Sequence, residues 1–247
     1  MTTPPLFLLS PGALDGVTAA DRLALTGDEG RHAATVRRTR PGEQLDVADG
    51  QGRRARCQVL AGTRSSLDLR VLAVTDEPAP PVRLVLAQAL AKGGRDQQAI
   101  EAATELGVDA VVPWQAGRSI SVWAGERRAR GRDRWQADVR EAAKQSRRAW
   151  VPQVADPVDT PALADLVRAA ALAVLLDADA DQRCAEVDLP ATGDLLLVVG
   201  PEGGIDPDEL AALTGAGAVA ARLGPHVLRT SSAGPAAVAL LAARLRW

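Results

Sequence analysis

The sequence predicts an α/β protein in which a small antiparallel β-barrel or sheet precedes a larger domain built on a mostly parallel sheet. Three observations carry that expectation. Short apolar runs separated by turn signals fill roughly the first seventy residues, the segment Asp76 to Pro81 (DEPAPP) is rich in proline, and apolar strands then alternate with helix-length segments to the end. Short runs punctuated by turns read as antiparallel strands. A proline cluster reads as a linker. Strand–helix alternation reads as a parallel sheet with helices on both faces. Domains are therefore expected at 1–75 and 82–247, joined by a linker over 76–81.

The first strands are Leu45 to Ala48, Ala55 to Leu60 and Leu67 to Val74, with the turn Asp49-Gly50-Gln51-Gly52 between the first two. Beyond the linker, Val82 to Ala87 is an apolar strand, Asp96 to Leu106 a helix stopped by Gly107, and Ala110 to Pro113 a second strand. Arg134 to Arg148 has Trp135, Val139, Ala142 and Ala143 on one side and reads as a helix ended before Pro152. Leu163 to Ala171 is a further helix, followed by strands at Leu172 to Leu176 and Asp194 to Val199. Asp206-Pro207-Asp208-Glu209 starts a helix, with an N-cap acid, proline at the first helical position and acids in the first turn. The last helix is expected from about Ala233 to Leu245, and no internal repeat is visible.

With 47% hydrophobic and 24% charged residues, the composition is that of a globular chain rather than a disordered one. Uncharged apolar stretches such as Ala169 to Leu176 fall far short of a membrane span, and the opening MTTPPLFLLSPG lacks a signal peptide's basic start, so a cytoplasmic protein without a membrane partner is expected. Cys57 and Cys184 lie far apart, with no CxxC and no clustered histidines, so neither a disulfide framework nor a metal site is indicated. Both read as buried, inert thiols. The net charge of -2 hides an asymmetry: Arg118 to Arg148 holds ten basic and four acidic residues, and Ala155 to Glu209 two basic and thirteen acidic. The basic block fits a polyanion footprint and, equally, a solvated helix face.

The chemistry concentrates in glycine loops. Leu195 to Ile205, LLLVVGPEGGI, is a strand delivering a tight loop to the carboxyl edge of a sheet. Open α/β sheets bind ligands at that edge. Glycine allows close backbone approach, and Glu202 places a carboxylate there; the plainer reading is an ordinary strand-to-helix turn. The loop is neither GxGxxG nor a P-loop, which argues against dinucleotide and nucleoside triphosphate sites. Leu223 to Ala233, LGPHVLRTSSA, repeats the Gly-Pro turn ahead of a helix, so the two loops are candidates for one pocket. Lys92, Gly93 and Arg95 occupy a third strand-to-helix turn.

Together with ALAKGGRDQQAIEAATELGV, VVPWQAGRSI, REAAKQSRRAWVP and the amino-terminal segment from Gly30 to Gly52, these loops resemble the bacterial 16S ribosomal RNA uracil-N3 methyltransferases of the SPOUT superfamily over essentially the whole chain. The resemblance implies a PUA-like β-barrel, a carboxyl-terminal α/β domain threaded into a trefoil knot, and a homodimer. It implies S-adenosylmethionine as cofactor, held bent among the knot loops, and methylation of N3 of a specific uridine in 16S rRNA of the small ribosomal subunit. Carried over by position, the donor-binding residues are Leu176 with the turn after it, Val199, Gly200, Pro201, Glu202, Gly203, Gly204, Leu223, Gly224, His226, Val227, Leu228 and Thr230. The chain departs from the family at several positions. His226 replaces the usual arginine, RTSSA replaces RTETA and leaves Arg229 without its expected acidic neighbour, and Ala102, Lys144 and Gly117-Arg118-Ser119 replace a lysine, an acid and ERS.

A sulfonium donor needs no metal, so the enzyme must place uracil N3 in line and remove its proton. A base on N3 or a cation stabilising the uracil anion supplies the rest. The candidates are Glu202, as an orienting or proton-accepting carboxylate, and Arg229, as the cation. Their plainer readings are, for Glu202, a cap on the following helix or bonds to loop amides and, for Arg229, an exposed salt bridge. Because N3 lies on the pairing edge, the target must be unpaired, with flanking RNA gripped elsewhere. The phosphate candidates are Arg37, Arg38, Arg40, Arg118, Arg147 and Arg148. His32 reads as a barrel or surface residue, direct catalysis by His226 is not expected, and Trp114, Trp123, Trp135 and Trp150 read as packing residues. Competing readings are a noncatalytic RNA-binding protein, a methyltransferase acting on another RNA or atom, and, more distantly, a nucleotide-dependent oxidoreductase, whose glycine fingerprint is missing.

Overall fold

A computed structural model describes residues 3–247, so the first two residues of the expected 1–75 domain lie outside the described residues. The chain forms two compact units, Met1–Ala79 with Ala143–Val151, and Pro80–Ala142 with Pro152–Trp247. The division after Ala79 falls inside the proline-rich segment. Residues 143–151, which lie within the 82–247 span, group with the first unit.

The first unit contains β1 (Leu6–Leu8), β2 (Arg22–Leu25), α1 (Gly27–Arg31), a wide π-helical turn at His32–Val36, β3 (Gln44–Ala48), β4 (Arg53–Gly62) and β5 (Leu67–Asp76). Its sheet order is β1-β3-β4-β5-β2. All neighbours are antiparallel except β1, which runs parallel to β3. Alternation places Leu67, Leu69 and Val71 of β5 and Ala55, Cys57 and Val59 of β4 inward, where they pack with Phe7, Leu14 and Leu25. The sequence reading missed β1 and β2. They are short, and β2 buries only Leu25, so neither shows a period. A smaller apolar cluster joins Leu6, Leu8 and Ala48 to Ala149 and Val151. Trp150 covers Gly52, and its indole N–H donates to the Glu77 carbonyl at 2.9 Å.

The second unit contains β6 (Val82–Ala89), α2 (Arg95–Glu105), β7 (Ala110–Trp114), α3 (Glu126–Gln145, whose last three residues group with the first unit), β8 (Gln153–Val154) and α4 (Thr160–Ala169). It continues with β9 (Leu172–Leu176), a short 3-10 turn at Cys184–Glu186, β10 (Gly193–Val199), α5 (Pro207–Gly215), β11 (Val219–Ala221) and α6 (Thr230–Leu245). The six strands lie in the order β11-β9-β10-β6-β7-β8, and every neighbouring pair is parallel. Helices cover both faces, so β6 and β10 are nearly continuous buried apolar runs. The chain builds outward from β6 to β8, then crosses to lay β9, β10 and β11 on the other side. Strand order therefore reverses beside β6, and the carboxyl ends of β9, β10 and β11 share one edge.

Several helix limits differ from those expected. Helix α3 begins at Glu126 rather than Arg134 because its first turns are charged and carry no apolar stripe, whereas Trp135, Val139, Ala142 and Ala143 are buried as expected. It ends before Arg147, whose φ of 58° is left-handed. Helix α4 begins at Thr160, with the Asp159 carboxylate accepting from Ala162 N at 3.0 Å. Helix α6 begins at Thr230 rather than Ala233, and α5 starts at Pro207 behind the expected N-cap Asp206, which forms a capping box with Glu209. Cys57 and Cys184 are free and buried, and burial pushes their thiols up to about 12 and about 11, so they stay protonated at neutral pH. Among the described residues no helix is long and apolar enough to cross a membrane, and no cluster of metal-ligating side chains occurs.

Candidate active site

At the carboxyl edge of β9, β10 and β11 the second unit opens a cleft of about 700 Å³. Three chain segments line it. They are Leu175 to Asp179 after β9, Val199 to Ile205 without Gly203 after β10, and Leu223 to Thr230 without Pro225 after β11. Arg95, Leu210, Ala221 and Ala233 complete the wall. The two Gly-Pro loops thus face one cavity, at the sheet edge where α/β folds bind ligands. Every donor-binding candidate lines the cleft except Gly203. A side chain there would meet the Arg118 Cβ at 3.3 Å, so this residue packs against Arg118.

The first loop is tightly held. A Cβ on Gly200 would come within 2.6 Å of Ile205 Cγ1, and Gly204 has a φ of +74°, so the turn needs glycine at both positions. Arg118 donates to the Gly203 carbonyl at 3.3 Å and pairs with Asp206 at 3.3 Å. Glu209 accepts from Gly117 N at 2.8 Å and from the Thr160 hydroxyl.

Glu202 is fixed from the opposite side. Its Oε1 accepts from Arg95 Nη1 at 2.9 Å and from Lys92 N at 3.2 Å, and its Oε2 is buried without a hydrogen-bond partner in the described structure. Burial opposes ionisation of this carboxyl. Its own backbone N–H, the Arg95 guanidinium and the Lys92 N–H outweigh that cost and hold it below the ordinary carboxylate value. A carboxylate held in this way is a weak proton acceptor at neutral pH. The geometry therefore favours the orienting role over the proton-accepting one. The helix-cap reading of Glu202 does not hold, because Asp206 and Glu209 supply the cap of α5, whereas its reading as a bond to loop amides is met at Lys92 N.

The second loop is anchored mainly at its ends. Arg222 donates to the carbonyls of Ala180 and Asp181, and Thr230 Oγ1 donates to the Gly200 carbonyl at 2.8 Å. Between these anchors the chain is exposed from Pro225 to Arg229, and Val227 is 82% exposed. Arg229 lies on the cleft wall just ahead of α6, with no ion pair among the described residues. The salt bridge expected by its plainer reading is not formed.

The arginines proposed for phosphate contact divide between the two units. Arg37, Arg38 and Arg40 are exposed after the π turn of the first unit, and Arg147 and Arg148 belong to the same unit. There Lys144 Nζ lies 3.4 Å from Glu29 Oε1 and 3.4 Å from His32 Nδ1, tying the end of α3 to α1 and the π turn. Arg118 belongs to the second unit and is engaged by its own loop. His32 is half-buried edge-on to Phe7, Trp114 and Trp135 are buried, and Trp123 stacks edge-on against Trp135 at 5.3 Å. Sequence reasoning missed Arg95, Ile205, Leu210, Ala221 and Ala233 as cleft residues. Arg95 had a signal in its glycine turn, whereas the apolar positions look like ordinary core.

Residues 78–242 match the family described as the RNA methyltransferase domain, and residues 25–72 match the RNA methyltransferase PUA domain. The chain is 54% identical over 220 residues to the ribosomal RNA small subunit methyltransferase E of Mycobacterium tuberculosis, covering 87% of this chain and 82% of that protein. It is 30% identical to the protein of the same name from Bacillus subtilis, with 88% of each covered. The crystal structure of a ribosomal RNA small subunit methyltransferase E from Neisseria gonorrhoeae bound to S-adenosyl methionine matches with a TM-score of 0.85 and 25% identity, over 98% of each chain. With both domains matched in order and a relative sharing more than half of the aligned residues, the chain belongs to the ribosomal RNA small subunit methyltransferase E family, as an RNA methyltransferase domain preceded by a PUA domain.

Proposed function

We propose that this protein transfers a methyl group from S-adenosylmethionine to N3 of a uridine in the 16S rRNA of the small ribosomal subunit. The observation that carries the reading is one cleft lined by both Gly-Pro loops, with the ionised Glu202 fixed on one side and, on the other, Arg229, which has no ion pair among the described residues. Its volume suits a ligand of the donor's size. Its residues suit the donor's chemistry as well. Leu176, Val199, Ile205 and Leu228 offer apolar wall to a base, while Asp177, Asp179 and Glu202 offer negative charge to a cationic ligand. The donor brings an electrophilic methyl on a sulfonium.

The chain's own residues supply position and charge. Glu202, held by Arg95 and Lys92 N, orients the ligands, and Arg229 stabilises the negative charge that develops as N3 loses its proton. Arg37, Arg38, Arg40, Arg147 and Arg148 of the first unit, with Arg118 of the second, hold RNA phosphates around an unpaired target. In this reading the last loops of the second unit are threaded as a trefoil knot and the protein acts as a homodimer, as its family resemblance implies, and it works in the cytoplasm.

The test is to incubate the protein with S-adenosylmethionine and small subunits lacking the modification, digest the RNA, and seek 3-methyluridine by mass spectrometry. Its appearance is expected. Methylation of another atom would overturn the N3 assignment, and absence of any methylated nucleoside despite donor binding would overturn the substrate. For the phosphate contacts, replacing Arg37, Arg38 and Arg40 by alanine should flatten the dependence of log affinity on log salt by about two, at roughly 0.7 per single-strand phosphate. An unchanged slope would remove these three from the footprint.

A further inference from the structure

Six polar side chains among the described residues are buried, and two of them, Gln88 and Thr230, bond one another. Gln88 interrupts the apolar run of β6 near its carboxyl end, beside Val199 of β10, and is completely buried. Its Nε2 donates to Thr230 Oγ1 at 2.9 Å and to the Ala89 carbonyl at 3.2 Å. Thr230 Oγ1 in turn donates to the Gly200 carbonyl at 2.8 Å. The polarity of this relay is forced. A carbonyl only accepts, so the threonine spends its one hydrogen on Gly200 and can meet Gln88 only as an acceptor. The amide must therefore present its NH₂ to Thr230, which leaves Oε1 buried with no partner. An orphaned buried acceptor costs stability that leucine at this position would not incur. Gly234 makes the contact possible: a Cβ there would meet Leu86 at 3.1 Å and Gln88 Oε1 at 3.4 Å, so the first turn of α6 lies close over β6.

We propose that Gln88 is a positioning residue for methyl transfer. Through Thr230 it fixes the start of α6, and with it the second Gly-Pro loop, against Gly200 of the first. This role rests on the donor-cleft reading. It acts through the direction of the hydrogen bonds, which a purely structural buried group does not require.

The test compares Gln88→Glu, Gln88→Leu and Thr230→Val, singly and combined, by calorimetric S-adenosylmethionine binding, kcat at saturating donor, and thermal unfolding. At a pH high enough to ionise a buried carboxyl, roughly 9 or above, a glutamate at 88 accepts only and draws the threonine hydrogen away from Gly200, whereas its protonated form donates to Thr230 as the amide does. At that pH Gln88→Glu should therefore weaken donor binding by about tenfold, the worth of one hydrogen bond, whereas Gln88→Leu spares the Thr230–Gly200 bond and should cost about threefold. In both variants the loss should fall more on donor affinity than on kcat at saturating donor, because the reacting groups themselves are retained. In the Thr230→Val background neither substitution at 88 should weaken binding further. Should Gln88→Glu not fold, the Gln88→Leu and Thr230→Val cycle decides alone: non-additive losses support the role, additive ones overturn it. Wild-type donor binding with Gln88→Glu no weaker than Gln88→Leu at that pH overturns the role alone. A wild-type protein that binds no donor overturns the donor-cleft reading and this role together.

Discussion

The two loops that face each other across the cleft share a Gly-Pro turn and lead into helices, yet they are held in opposite ways. The loop from Val199 to Ile205 is fixed on one side by Arg95 and Lys92 N through Glu202, and on the other by Arg118 at the Gly203 carbonyl. The loop from Leu223 to Thr230 is anchored by Arg222 before it and Thr230 at its end, with exposed residues between. Such a pairing gives one wall held along its length and one held at its ends. In the proposed reading the ligand-orienting carboxylate belongs with the first loop. The cation belongs with the second, where Arg229 is not neutralised by a partner in the described structure.

That contrast is broken most directly at Arg229. Arg229→Ala should lower kcat by about a hundredfold or more while leaving donor affinity within a few-fold, as loss of a charge-stabilising donor does. Single-turnover kinetics beside calorimetry would check it, and an unchanged kcat would move the cationic role elsewhere. Glu202→Gln should instead weaken donor binding by about tenfold, with a smaller effect on kcat, because it removes charge-assisted bonds that hold the loop. A kcat collapse with normal binding would restore Glu202 as proton acceptor.

The same residue has a signature in acid. Because its folded pKa lies below the ordinary 4.5, Glu202 contributes stability that is present above 4.5 and lost as pH falls through the lowered value. Urea titrations above and below that pH should therefore show wild type losing more stability on acidification than Glu202→Gln. The smallest effect is expected from Arg118→Ala. The half-exposed pair with Asp206 contributes no more than about 1 kcal/mol by equilibrium unfolding. A large loss of donor binding in this variant would show that the first loop's order hangs on that one contact.

Much of this arrangement was legible in the sequence, for reasons visible in particular residues. Asp206-Pro207 and the apolar run before Gly200 announced α5 and β10, because caps and fully buried strands are written locally. The alternation of Leu67, Leu69 and Val71 announced β5. The tie between Gln88 and Thr230 was not legible, since 142 positions separate the partners and no local pattern marks either. Nor was the Arg95–Glu202 pair, which favours an orienting over a proton-accepting carboxylate. The charged first half of α3 gave no apolar stripe to count, and β1 was too short to show a period.

One feature of the first unit bears on how the protein is made. Ala149 and Val151 complete its smaller apolar cluster and Trp150 covers Gly52, although all three are encoded after a long stretch of the second unit. As the chain leaves the ribosome, the amino-terminal strands emerge well before the residues that finish their packing. A nascent chain released at the proline-rich segment would leave Leu6 and Leu8 without two of their apolar neighbours and the Glu77 carbonyl without its indole donor. Completion of the PUA domain's packing is in this sense scheduled by translation of the methyltransferase domain.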